Sequence, residues 1–108
     1  MFDFLKTKRE PPALPAGTVR RQYHIYGRVQ GVGFRYRAKY AAQSLGLTGW
    51  VENETDGSVK MEVQGLAEQI DSLLPLIVRS DYIHITDMRI RQIPIDPWER
   101  SFAIMDYY

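Results

Sequence analysis

The sequence runs to 108 residues, with 44% hydrophobic and 25% charged side chains and a formal net charge of +1. That balance fits one globular domain with a modest core, and the whole-chain charge gives no argument for nucleic acid or another polyanion as partner. There is no cysteine and only His24 and His84, which excludes disulfides, thiolate metal sites, thiol nucleophiles and a histidine-rich metal centre.

Residues 1–18 read as a flexible N-terminal extension, and residues 19–108 as the folded domain. Pro11, Pro12, Pro15 and Gly17 break regular structure there, Lys6, Lys8, Arg9 and Glu10 favour solvent, and Phe2, Phe4 and Leu5 offer a short apolar anchor. The start lacks the basic residues and long apolar stretch of a secretory signal. No apolar run anywhere approaches the ~20 residues of a membrane span, so the expected compartment is the cytoplasm.

From Arg21 to Arg28 the chain alternates with period two: Tyr23, Ile25 and Gly27 against Gln22, His24 and Tyr26. This is a strand, with His24 expected to be solvated or hydrogen-bonded on its polar face. The string Gly27-Arg28-Val29-Gln30-Gly31-Val32-Gly33-Phe34-Arg35 then joins strand to helix. Gly31 and Gly33 suit a tight turn, and a turn that opens a helix aims free backbone N–H groups and the positive end of the helix dipole outward. Such a turn suits an anion, and Arg35 adds a planar fork of donors. By spacing alone, glycines here often do no more than make the turn.

The first helix carries Phe34, Ala38, Ala41, Ala42 and Leu45 on one stripe, with Gly46 placed to end it. Gly49 to Asn53 and Ser58 to Gln64 read as a hairpin turning at Asp56-Gly57. A second helix is expected over Leu66, Ile70, Leu73, Leu74 and Ile77, its last turn bent by Pro75. Ile83 and Ile85 fall out of phase with Met88 and Ile90, which a β-bulge near Thr86 or Asp87, or a late strand start, would reconcile. A loop marked by Pro94, Pro97 and Trp98 precedes a last strand, Phe102 to Tyr107. The order is βαββαβ plus a final strand. It predicts an α+β, ferredoxin-like split βαβ sandwich, an antiparallel sheet with two helices on one face.

Val-Gln-Gly-Val-Gly-Phe-Arg, residues 29–35, closely resembles the signature of the acylphosphatase family. A second stretch, Gly49-Trp50-Val51-Glu52-Asn53-Glu54-Thr55-Asp56-Gly57-Ser58-Val59, is similar to that family's strand–turn–strand motif. The resemblance runs from about Arg21 to the C-terminus. It implies hydrolysis of the carboxyl-phosphate bond of acyl phosphates to a carboxylate and inorganic phosphate. The family pattern puts Arg35 and Asn53 in catalysis. The backbone N–H groups of Gln30, Gly31, Val32, Gly33 and Phe34 would hold the phosphate oxygens together with Arg35, and the Asn53 amide would hold the attacking water.

Elementary chemistry makes so small a set sufficient. The carboxylate is already a good leaving group, and phosphoryl transfer needs mainly positioning and charge stabilisation. A substrate phosphate oxygen is available for the water's proton. No metal and no cofactor is expected, no membrane or nucleic acid as partner, and a monomer is the default.

Two departures stand out. Glu52 occupies a position often basic in the family, where a carboxylate would weaken anion binding, and Arg79-Ser80-Asp81-Tyr82 replaces an expected Gly-Pro. Trp50 and Asp56 read as sheet packing and turn residues. One alternative is an RNA-binding module of the same topology, suggested by Arg20, Arg21, Arg28, Arg35, Arg37 and Lys39. The third strand lacks the aromatic residues such a module stacks on bases. The other alternative is a non-catalytic acyl- or carbamoyl-phosphate binding domain, which would not need Asn53. The sequence marks no acyl-chain pocket, so broad acceptance is expected.

Overall fold

The computed structural model describes residues 10–106. The suggested anchor at Phe2, Phe4 and Leu5, and Tyr107, lie outside the described residues. Strand β1 (Thr18–Arg28) leads to helix α1 (Phe34–Ser44), strands β2 (Thr48–Asn53) and β3 (Val59–Leu66), short helices α2 (Ala67–Asp71) and α3 (Leu73–Ile77), and strands β4 (His84–Ile93) and β5 (Phe102–Met105). The sheet order is β4-β1-β3-β2-β5. β1 pairs antiparallel with β3 and β4, and β2 antiparallel with β3. β5 runs parallel to β2, so the five-stranded sheet is mixed where a wholly antiparallel one was expected. The long loop after β4 carries the chain round to the far edge, which sets that direction.

Alternation along the strands separates the two faces. Tyr23, Ile25, Val51, Met61 and Val63 point into the core with Phe34, Ala38 and Ala42 of α1 and Ile70, Leu73 and Ile77 of α2 and α3. The small alanines let α1 lie close to β2, and α1 also packs on α3. At its end Leu47 N–H donates to Ala42 O at 2.9 Å and Gly46 N–H to Gln43 O at 3.2 Å, with Gly46 at φ 72°. This is the paired-bond termination that glycine favours.

The expected second helix is divided. Pro75 has no N–H to bond the Asp71 carbonyl, and the chain turns at Ser72, whose N–H reaches back only to Gln69 O at 3.2 Å. Leu66 ends β3 and serves as the N-cap of α2, one position before its first helical residue. The apolar stripe survives the break because Ile70, Leu73 and Ile77 stay buried.

The phase shift in β4 is a bulge. Tyr26 faces Asp87 but Gly27 faces Ile85, which leaves Thr86 unmatched. The extra residue returns Ile83, Ile85 and Met88 to one side.

Candidate active site

Val29 anchors the loop between β1 and α1 in the core and is 1% exposed, as is Phe34 at the start of α1. Between these fixed points Gly31 and Gly33 take φ 73° and 81°. A Cβ on either would meet nothing within 4 Å, so backbone conformation and not lack of space demands glycine. Gly33 is the N-cap of α1, and no side chain caps that first turn. The first hydrogen bond of the turn runs from Arg37 N–H to Gly33 O at 3.0 Å. The N–H groups before it therefore have no partner within the helix, and the dipole's positive end faces the same way.

A cavity of about 190 Å³ opens at this point, lined by Val29, Gly31, Gly33, Phe34, Arg35, Tyr36 and Asn53. Of the residues expected from sequence, Gly31, Gly33, Phe34, Arg35 and Asn53 come together here. The side chains of Gln30 and Val32 do not line it. Val32 packs against the core. Gln30 Nε2 donates to Glu54 O and to Ser58 O, each at 2.7 Å, which ties the loop to the turn that follows Asn53. One amide thus sets the spacing between the two halves of the cavity.

Asn53 ends β2 on the same face as Val51, the core side. Its Oδ1 is buried and has no hydrogen-bond partner among the described residues. A buried amide oxygen left unpaired costs about 1–3 kcal/mol, so this acceptor, held open beside the uncapped first turn of α1, is a costly feature of the fold. Glu52 alternates to the opposite face, where Lys60 sits across from it on β3. The sheet thus separates its carboxylate from the cavity, and the expected weakening of anion binding loses its basis. The Glu54 carboxyl, hydrogen-bonded to it, pushes the Glu52 pKa above the ordinary carboxylate value, with burial adding and Lys60 opposing.

The turn itself is held by a chain of polar groups. Ser58, 1% exposed, donates from N and from Oγ to Asp56 Oδ1, which draws the Asp56 pKa down. Its Oγ proton is thereby used, so it accepts from His24 Nε2 at 2.7 Å, and His24 Nδ1 accepts from the Tyr26 hydroxyl at 3.2 Å. His24 is hydrogen-bonded on the open face, as the sequence pattern predicts, and outside the cavity.

Arg35 Nη1 donates to Asp106 Oδ1 at 2.8 Å. The pair is partly exposed, with 28% of the arginine side chain and 56% of the aspartate accessible, and an exposed pair holds its partners weakly. Sequence reasoning did not find Asp106, because nothing local marks a contact made 71 positions away. It also missed Tyr36, whose place directly after Arg35 in the first helical turn was the available signal.

A family model described as acylphosphatase matches residues 21–104, a span that holds both halves of the cavity. The chain belongs to the acylphosphatase family. Membership assigns the enzyme class. The chain is 42% identical over 82 residues to the acylphosphatase of Geobacillus thermodenitrificans, covering 75% of this chain and 87% of that one. It is 38% identical over 81 residues to the acylphosphatase of Clostridium beijerinckii, covering 74% and 90%. The crystal structure of the acylphosphatase from Bacillus subtilis superposes with a TM-score of 0.74 at 30% identity, over 81% of this chain and 98% of that one. The ferredoxin-like fold and the family are thus established together.

Proposed function

We propose that this acylphosphatase works through the cavity between α1 and the end of β2, with Arg35 and Asn53 as its catalytic residues. The phosphoryl group of an acyl phosphate sits against the N–H groups of residues 30–34, and the Arg35 guanidinium pairs with its oxygens in place of Asp106. Asn53 Oδ1 accepts a hydrogen bond from the attacking water and aims its lone pair at phosphorus. The water oxygen bonds to phosphorus as the bond from phosphorus to the acyl oxygen breaks. The electron pair leaves with the carboxylate, and a phosphate oxygen takes the water's proton. Charge developing on the phosphoryl oxygens and leaving group meets fixed donors, the largest kind of catalytic contribution available to such a site.

The observation that carries this reading is the buried, unpartnered Asn53 Oδ1 in the same cavity as Arg35 and the uncapped first turn of α1. The RNA-binding reading has less support. Arg20 is buried in ion pairs, Arg21 pairs with Asp71, and Arg37 donates to Ile77 O and Leu76 O at the end of α3. Much of the basic cluster is thus engaged within the fold. A purely binding domain would have no use for the Asn53 acceptor.

Phosphate release from acetyl phosphate, with a phosphate monoester as control, tests the assignment. Release from the acyl phosphate alone is expected, and it should survive excess chelator because Arg35 and the α1 terminus supply the positive charge. Hydrolysis of both, or a loss on chelation that a divalent ion restores, would contradict it.

A further inference from the structure

The site described above accounts for the phosphoryl group and the water, and leaves the acyl group unplaced. The cavity, at about 190 Å³, lies below the roughly 300 Å³ at which pockets for whole small molecules begin. It holds the phosphoryl head, and the acyl substituent has to lie outside, on the surface at the rim. Most of the lining cannot meet it there. Val29 and Phe34 are each 1% exposed and form the floor, and Gly31 and Gly33 have no side chain. Arg35 and Asn53 are polar. The remaining lining residue, Tyr36, is 59% exposed and presents a large aromatic surface at the mouth.

One turn further along α1, Tyr40 is 63% exposed. Residues four apart share a helix face, with their Cβ atoms about 6 Å from each other, so the two rings form a strip that starts in the cavity and runs away from it. Both belong to the apolar–aromatic class that binds flat or bulky apolar groups while a hydroxyl stays in water.

We propose that Tyr36, extended by Tyr40, is the acyl-group subsite of this protein, and that it favours acyl phosphates with an aromatic or bulky apolar acyl group over acetyl phosphate. This rests on the phosphoryl placement proposed above. The phosphoryl end fixes the substrate, and the strip adds contact area in proportion to the size of the acyl group. Acetyl phosphate is too short to cover either ring fully, whereas a benzoyl group reaches Tyr36. The broad acceptance expected from sequence becomes a graded preference.

The test measures kcat/KM for benzoyl phosphate and acetyl phosphate in the wild type and in Tyr36→Ala, Tyr36→Phe and Tyr40→Ala, with thermal midpoints recorded on the same preparations. The wild type should prefer benzoyl phosphate. Tyr36→Ala should lower the benzoyl-to-acetyl ratio by roughly three- to tenfold, the range for an aromatic contact. Tyr36→Phe should keep the wild-type ratio, and Tyr40→Ala should lower it less than Tyr36→Ala does. A ratio unchanged in Tyr36→Ala would overturn the subsite while leaving the phosphoryl assignment standing. A wild type that hydrolyses neither compound would overturn both. Should Tyr36→Ala not fold, the ratio in Tyr36→Leu decides: a fall supports an aromatic contact, and no change removes it.

Discussion

Arg35 carries opposite demands in one side chain. It is held by Asp106 at 2.8 Å, and among the described residues it is the only cation lining the cavity. A phosphoryl dianion offers two oxygens to the guanidinium fork where Asp106 engages a single nitrogen, which favours the proposed exchange. Arg35→Ala should lose at least about 3 kcal/mol of transition-state stabilisation, roughly two orders of magnitude in kcat/KM, and Arg35→Lys should recover little. Wild-type turnover in Arg35→Ala would take this arginine out of the site. Glu52 yields a prediction about pH. Its folded-state pKa is raised by the Glu54 carboxyl, so the unfolded chain gives up the proton more readily. Stability linked to this group is therefore greatest below the unfolded carboxylate pKa and is lost as pH rises through the folded one. Glu52→Gln removes the repulsion between the two carboxylates, so its thermal midpoint relative to wild type should be higher at about pH 7 than at about pH 4. The reverse order would show that the attraction of Lys60 for Glu52 outweighs Glu54.

Elements were legible in the sequence where a period was sustained. The stripe of Phe34, Ala38 and Ala42 gave α1, and the slip between Ile85 and Met88 gave the bulge at Thr86. The division of the second helix was harder to see, because its apolar stripe continues unbroken across Ser72 and only Pro75 marks the missing bond. The direction of β5 was invisible, since alternation reads the same along a parallel and an antiparallel strand. The two halves of the site were legible because each is a continuous string. The Gln30 amide that joins them, and the Asp106 contact, depend on residues brought together from distant positions. The loop between β4 and β5 is held in the same unseen way. Arg20, 4% exposed, donates to both Glu99 oxygens at 2.8 and 3.0 Å and to Glu62 at 2.9 Å. Gln64 adds two hydrogen bonds with the Asp96 backbone. Arg20→Met would leave Glu62 and Glu99 facing each other without a cation. It should cost about 3–5 kcal/mol of stability, read by denaturant unfolding, with the benzoyl-to-acetyl ratio unchanged. A change under about 1 kcal/mol would mean the carboxylates find water instead.

Across the whole molecule, the sheet works as a partition. Its core face and α1 build the proposed anion cradle, while its open face takes Arg20, His24, Glu52, Glu62 and their partners. Glu52 and Glu62 are thereby kept on the other face from the proposed anion site, whereas Asp106 reaches it through Arg35. Asn53 marks the edge of that partition, placed by β2, with its Oδ1 unpartnered among the described residues. Whether this amide serves the nucleophile separates a catalytic cavity from one that only binds. The decisive measurement is turnover of acetyl phosphate and inorganic-phosphate affinity, both on Asn53→Ala. An amide that aims water touches phosphate little, so turnover should fall by roughly two orders of magnitude or more while phosphate binds with nearly wild-type affinity. A folded Asn53→Ala protein that binds phosphate and hydrolyses acetyl phosphate at the wild-type rate would contradict the account.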